Sequence, residues 1–101
     1  SSYASFISSV KSKISIKNTK LNASADICVV ISMSEGQIDC KDNTFKISGK
    51  TGRIAELFGV TGSFNHNVFK AELSKVSKSI VPVFTENKSN VTLVDNENYG
   101  F

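Results

Sequence analysis

The sequence predicts an α+β fold with an N-terminal helix, a three-stranded antiparallel meander, a helical pair and a C-terminal strand pair. Three observations carry this prediction. Apolar residues recur at helical spacing in residues 3–14 and 63–80, large and small side chains alternate in the β-branched stretch 26–33, and glycine or polar clusters separate the short β-branched runs. With 101 residues, the chain has the size of one domain, so we assign residues 1–101 to a single domain.

The first predicted element is an amphipathic helix over residues 3–14. Its large apolar residues are spaced by three and four positions, as on one face of a helix: Tyr3, Phe6, Ile7, Val10 and Ile14. An alternative is that Ile14–Ile16 already begins a strand. The polar stretch 18–25 is predicted to be a loop.

The meander is predicted from alternation and turn residues. Residues 26–33 alternate apolar and small side chains and are rich in β-branched types, which indicates a strand. Residues 34–36 fit a three-residue hairpin loop, with Gly36 in the left-handed conformation. The chain then returns over 37–40, turns at 41–43 and forms a third strand over 44–48.

Cys28 and Cys40 are the only cysteines, and the hairpin register decides whether they meet. With the loop at 34–36 the two thiols are diagonal neighbours, roughly 7–8 Å apart, beyond easy reach of a disulfide. Moving the loop back one position places them opposite each other, and a two-residue loop places them on opposite faces. We favour two buried free thiols. A secreted domain with a Cys28–Cys40 bridge is the alternative.

A helical pair is predicted next, with a first helix leading into Gly59 and a second from Ser63 that must end before Pro82. Residues 80–84 are predicted to be an edge strand because of the proline, and 91–94 the last strand. Residues 95–101 read as a loose polar tail. The sequence is expected to contain no internal repeat.

The net charge is +3, and its distribution suggests a partner class. Lys11, Lys13, Lys17 and Lys20 precede the first acidic residue, Asp26. Such local positive charge favours polyanions or acidic protein surfaces. The longest apolar run, 27–31, is far too short to cross a bilayer, so we expect no membrane partner. We expect a cytoplasmic location, with a secreted or virion-associated protein as alternatives, and the oligomeric state stays open.

Catalytic chemistry is not indicated, so we expect a non-enzymatic protein without cofactor or metal. His66 is the sole histidine, which leaves no standard zinc pattern. The segment 49–51 lacks the earlier glycine of a phosphate-binding loop. A nucleophile pair between His66 and either Cys28 or Cys40 is conceivable, but both thiols lie in apolar runs.

Residues 53–70 resemble the helix-turn-helix family of DNA-binding proteins. The resemblance rests on Ala55, on Gly59 four positions later, and on the apolar residues Val60 and Val68. It implies that the second helix enters the major groove. The outward positions of that helix would be Thr61, Gly62, Ser63, His66, Asn67 and Lys70.

Two functional hypotheses follow. The first is a small nucleic-acid-binding protein that uses a basic surface and the 61–70 helix start. Its contact residues would be Lys11, Lys13, Lys17, Lys50, Arg53, Thr61, Ser63, His66, Asn67 and Lys70. The alternative is a protein-binding module, such as an inhibitor, an adaptor or a phage or virion accessory protein, that acts through a sheet edge or through Tyr99 and Phe101.

Overall fold

The computed structural model describes residues 2–75 and 81–101, and within these residues every regular element is a β-strand. The α+β prediction is therefore wrong. The strands are β1 (Tyr3–Ala4), β2 (Ile7–Lys17), β3 (Lys20–Ser24), β4 (Ile27–Lys41), β5 (Thr44–Gly49), β6 (Thr51–Asn65), β7 (Val68–Leu73), β8 (Val83–Glu86), β9 (Asn90–Val94) and β10 (Glu97–Tyr99).

The strands wind into a parallel β-solenoid. β2 pairs with β4, and β4 with β6, so that Ile7 lies beside Ile31 and Ile31 beside Ala55. β3, β5 and β7 form the second sheet with the same offset, 24 residues along the chain. Each circuit of the chain is called a rung here: rung 1 holds β1–β3, rung 2 β4–β5, rung 3 β6–β7 and rung 4 β8–β10. In rung 4, β8 and β9 pair with β6, and β10 pairs with β7.

Two corners of each rung are made by residues in the left-handed conformation. At the corner between the sheets, Asp42 has φ 58° and His66 has φ 56°. At the second corner Glu35 and Gly59 have φ 59° and 66°, and the pairing between neighbouring strands is interrupted there. Asn and Asp adopt this conformation more easily than other residues that have a side chain, and glycine adopts it freely. The long strands therefore bend without reversing.

The core is a set of columns, each made of side chains at the same position of successive rungs. The rings of Phe45 and Phe69 stack with centroids 6.4 Å apart, and Phe64 meets Phe69 edge to face at 6.2 Å. Burial is complete for most large apolar side chains of rungs 2 and 3, among them Ile31, Met33, Ile47, Ile54 and Leu57. Such packing supplies the main stabilisation of this fold.

A ladder of buried asparagines runs through the corner between the two sheets. Asn67 Oδ1 accepts from the backbone N–H and from Nδ2 of Asn43, both at 3.0 Å. Asn67 Nδ2 donates to the Cys40 carbonyl at 3.1 Å and to Asn96 Oδ1 at 3.0 Å. The ladder satisfies backbone groups that the turn leaves without strand partners, which is why two polar residues can lie fully inside.

The predicted N-terminal helix is replaced by β1 and β2. Ile7, Ile14 and Ile16 point inward, whereas Val10 is exposed. The left-handed residue Lys11 (φ 55°) shifts the alternation by one position. Because of this shift, Ile7 and Ile14, which are seven positions apart, face the same side of the strand, as they would on a helix. The predicted loop 18–25 contains β3.

The predicted hairpin and helical pair are also strands that continue through bends. β4 runs from Ile27 to Lys41 across the expected hairpin loop at 34–36, so there is no antiparallel meander. β6 and β7 occupy the region of the two helices, and residues 76–80 lie outside the described residues. The resemblance to helix-turn-helix proteins implied two helices in this region. The described residues contain neither of them.

Other predictions are confirmed. Strands lie at 44–49 and 90–94, and β8, which follows Pro82, is an edge strand. Cys28 and Cys40 are buried free thiols, although the reason differs from the predicted one, since both belong to the single strand β4. The tail is not loose, because β10 pairs with β7, and the C-terminal strand pair is wrong because β8 and β9 both pair with β6. The expectation of no internal repeat is wrong, since rungs 1 to 3 repeat every 24 residues.

Candidate functional site at the two ends of the solenoid

At the rung 1 end, a core position is left open to solvent. Phe6 belongs to the column of Val30 and Ile54, as its backbone N–H donates to the Val30 carbonyl at 2.9 Å. Val30 and Ile54 are 1% and 0% exposed, whereas Phe6 is 53% exposed. No rung of the described chain lies beyond it. An aromatic ring in a core column is therefore presented to solvent.

At the rung 4 end, another column that is buried in the inner rungs is exposed in the end rung. Leu93 pairs in register with Phe64, which pairs with Cys40. Phe64 is fully buried, whereas Leu93 is 55% exposed. A depression of about 420 Å³ opens beside it, lined in part by Phe69, Pro82 and Val83. This depression is the open end of the solenoid core.

The strands at both ends have one free edge within the described residues. β2 pairs only with β4 and β3 only with β5, while β8 and β9 pair only with β6 and β10 only with β7. The backbone N–H and C=O groups on the free edges form a template for another strand. β2, with 11 residues, is the longest such edge.

The two ends carry opposite charge. Rung 1 has four lysines and one acid: Lys11, Lys13, Lys17, Lys20 and Asp26. The described part of rung 4 has three acids and one lysine: Glu86, Asp95, Glu97 and Lys88. Lys11 and Lys17 face Glu35 and Asp39 of rung 2, each at 3.7 Å between nitrogen and oxygen. Within the described residues, Lys13 and Lys20 have no carboxylate at salt-bridge distance.

The ten residues predicted to bind nucleic acid do not form one surface. Lys11, Lys13 and Lys17 lie on β2, together with Thr61 and Ser63 of β6 on the same sheet. Lys50 lies at the turn between β5 and β6. Lys70 lies on the other sheet, beside Lys46 of β5. The predicted contacts are therefore spread over both sheets and a corner.

Besides Lys11 and Lys17, which face Glu35 and Asp39, Arg53, His66 and Asn67 also have partners. The Arg53 guanidinium bonds Glu56 at 3.0 Å and lies 4.0 Å from the centroid of the Phe84 ring. His66 Nε2 is 3.8 Å from Asp95 Oδ2 at the exposed corner. Asn67 is completely buried in the asparagine ladder, so its side chain has no access to a base. Asn67 is structural.

The thiols offer no nucleophile in this setting. Burial, and secondarily the nearby charge of Asp39, raises the pKa of Cys40 from 9.0 to about 12. A reactive cysteine needs the opposite shift. His66 is exposed at a corner, whereas Cys28 and Cys40 point into the core. Among residues 2–75 and 81–101, no three His, Cys, Asp or Glu side chains are grouped as metal ligands.

A second depression, of about 550 Å³, lies on the outer surface of the second sheet. It is bordered by Lys46, Lys70, Glu72, Glu97 and Tyr99. Lys46 bonds Glu72 at 3.0 Å, so charges of both signs meet there. Tyr99, one of the aromatics predicted to dock on a partner, is exposed at its rim.

Sequence reasoning missed most of the residues that define the two ends, chiefly Phe6, Leu93 and Glu97. The signal for them is the repeat. Asn43, Asn67 and Asn96 each follow a left-handed Asp or His, and each precedes by two positions an inward residue, Phe45, Phe69 or Asn98. Aligning these segments would have shown which residues share a column.

Comparisons with protein-family models, curated proteins and solved structures find no match. No helix long and apolar enough to span a bilayer occurs in the part of the chain that the structure describes.

Proposed function

We propose that this chain is a non-catalytic protein-binding module whose binding surfaces are the open ends of the solenoid. One observation carries the proposal: column positions that are fully buried in rungs 2 and 3 are more than half exposed in the end rungs, at Phe6 and Leu93. This is the sheet-edge hypothesis, with β2 and β9 proposed as the binding strands.

A partner strand would gain two kinds of interaction at these edges. It would pair with the free backbone groups of β2 or β9, as in strand addition. Its apolar side chains would also cover Phe6 or Leu93 and extend a column. Burying apolar area contributes about 25 cal/mol per Å², so covering several exposed columns at once would stabilise a complex.

The test compares Leu93→Asp with Val94→Asp in a pull-down from nuclease-treated lysate. Leu93 points into the end of the core, whereas Val94 is the next residue of the same strand and faces outward in the column of Lys41 and Asn65. We expect a specific partner to be lost with Leu93→Asp and kept with Val94→Asp. Equal capture by both variants, or capture by neither variant nor the wild type, contradicts end binding.

Nucleic-acid binding stays a prediction of the sequence. Lys13 has no carboxylate at salt-bridge distance among the described residues, and it lies with Lys17 and Lys41 on one side of the first sheet, which is a possible phosphate-contacting strip. If this strip binds duplex DNA, affinity falls steeply as salt rises and falls further in the Lys13→Glu/Lys17→Glu variant. Affinity that neither salt nor these reversals alters contradicts this function.

A cytoplasmic location is part of the same proposal. Two free thiols in the core are compatible with a reducing compartment, where disulfides are rare. Fractionation of the host cells tests it, and recovery of the protein outside the cytoplasm contradicts it.

A further inference from the structure

We infer that the partner of each end is a second copy of this chain, stacked head to tail so that rung 1 of one copy continues rung 4 of the next. The inference rests on the proposed function and names its partner. Because the two surfaces differ and the stacking direction does not close on itself, repetition would give a filament rather than a dimer.

The core columns match across such a junction. Extending the observed register places Val83 on Ile7, Val91 on Ile14 and Leu93 on Ile16. All six are apolar, and the column neighbours of Val83, Ile7, Leu93 and Ile16 in rungs 2 and 3 are fully buried, whereas the column of Ile14 and Val91 passes through the partly buried Gly62 in rung 3. The column of Leu21 and Asn98 is mixed, and the corner at Asn87 and Lys88 has one residue more than rung 1. The other paired positions of β8, β9 and β10 continue onto β2 and β3 without insertion.

One buried polar side chain would also gain a hydrogen-bond partner in the stack. Ser9 Oγ is the only buried side-chain polar atom among the described residues that has no hydrogen-bond partner. Ser9 shares a column with Met33 and Leu57, and Leu57 pairs in register with Thr85 of rung 4. In the stack, the Thr85 hydroxyl of one copy would lie next to Ser9 of the other. A buried hydroxyl without a partner is unfavourable, so this contact would remove a cost that the single copy has.

The asparagine ladder continues in the same direction. In each step the backbone N–H of one rung donates to a side-chain oxygen of the next: Thr19 to Asn43 at 3.0 Å, Asn43 to Asn67 at 3.0 Å and Asn67 to Asn96 at 2.9 Å. The N–H of Asn96 has no such acceptor within the described residues. In the stack, the hydroxyl of Thr19 from the next copy occupies the place of that acceptor.

The charges favour head-to-tail over head-to-head contact. Lys20, Thr44, Val68 and Glu97 form one outward column, so Glu97 of one copy would lie beside Lys20 of the next. A head-to-head junction would instead bring the lysines of two first rungs together. Like charges across an interface are unfavourable, and opposite charges set its orientation.

The decisive experiment is a charge swap, followed by sedimentation velocity over a concentration series of the purified chain. Lys20→Glu and Glu97→Lys each place like charges at the junction, and we expect each to raise the concentration needed for assembly about tenfold. The double variant restores an opposite pair, and its assembly should return to the wild-type range. Within one copy, Lys20 and Glu97 are three strand spacings apart, about 14 Å, so an intramolecular contact does not explain such a rescue.

The matched control is Lys41→Glu, which makes the same charge change on the rung 2 strand β4, where Lys41 is paired with a strand on both sides. It should leave assembly unchanged. Thermal unfolding of each variant checks that the fold is kept. Should the variants assemble like the wild type, or the double variant fail to recover, head-to-tail stacking is wrong.

A wild-type chain that stays monomeric at every concentration also overturns the inference. That result leaves the proposed function standing if the lysate experiment still captures a protein that Leu93→Asp loses. If the chain is monomeric and nothing is captured, both fail. Particles limited to dimers contradict head-to-tail stacking, because its geometry does not close.

Discussion

The inner rungs and the end rungs of this solenoid are built from the same kinds of residue but differ in what covers them. Phe64 in rung 3 has Cys40 on one side and Leu93 on the other, whereas Leu93 has a neighbour on one side only. In a stack of repeats, the contribution of an apolar side chain to stability depends on its neighbours in the column and not on its residue type alone. The two regions therefore separate the role of a residue in folding from its role in association.

The largest expected difference is within this one column. Phe64→Ala removes a fully buried ring and should lower the free energy of unfolding by about 4 kcal/mol, whereas Leu93→Ala, at a half-exposed site, should cost about 1 kcal/mol. Urea denaturation of the purified chain, at a concentration where it is monomeric, measures both. Similar losses in the free energy of unfolding at the two sites would mean that Leu93 is covered to the same extent as Phe64.

A second comparison concerns two glycines on the same strand. A Cβ on Gly62 (φ 147°) would lie 1.8 Å from the Ile38 carbonyl oxygen, so the neighbouring strand must move. Gly59 (φ 66°) lies at a corner, where the nearest atom to a Cβ is 3.5 Å away. We expect Gly62→Ala to cost at least about 3 kcal/mol and Gly59→Ala about 1 kcal/mol, as for a residue with a side chain in the left-handed region.

Thermal unfolding followed by circular dichroism tests this pair. Lys11 and Glu35 occupy the equivalent corner in rungs 1 and 2, which shows that a side chain is accepted there. Equal destabilisation by the two substitutions would contradict the close approach of strands at Gly62.

The asparagine ladder gives a third comparison, between an inner and an outer step. Asn67→Ala removes hydrogen bonds to Asn43, Cys40 and Asn96 inside the core and should cost about 3 kcal/mol. Asn96→Ala removes bonds at a half-buried position with water nearby and should cost about 1 kcal/mol. Chemical denaturation measures both, and a reversed order would mean that the ladder is not the structural element we describe.

The sequence predicted several strand positions but not how the strands pair. Residues 26–33, 44–48 and 91–94 are β-branched and alternate, so their local pattern was sufficient. The N-terminal helix failed because the left-handed corner at Lys11 shifts the alternation. The second helix of the pair failed because Phe69 and Leu73, four positions apart, lie on one face of a strand as well as of a helix. A repeat of 24 residues whose side chains vary from rung to rung leaves only weak sequence identity, so the parallel register was not recognised.

The candidate site was still harder to predict. Phe6 and Leu93 look like core residues in the sequence, and in the inner rungs their equivalents are core residues. Their exposure arises because each has a neighbouring rung on one side only, and that follows from the pairing of the strands, not from the local sequence. The sequence did indicate the lysines of residues 11–20 as a binding surface, and the structure adds that they follow the edge of rung 1.

The smallest effect that we predict is the pH dependence contributed by Cys40 in the middle of β4. Its pKa is about 12 in the folded chain, against an ordinary value of 9.0, because burial disfavours the thiolate. Below about pH 9 the thiol is protonated in both states, and stability is at its full value. As the pH rises from about 9 towards 12, only the unfolded chain loses the proton, so stability falls by about 1 kcal/mol per pH unit. Urea denaturation of the wild type at pH 7 and pH 10 should show this decline in the free energy of unfolding.

The control is Cys40→Ala, whose free energy of unfolding at pH 10 is compared with its own value at pH 7. The variant should lose the part of the decline that Cys40 contributes. An unchanged decline would mean that other groups cause it.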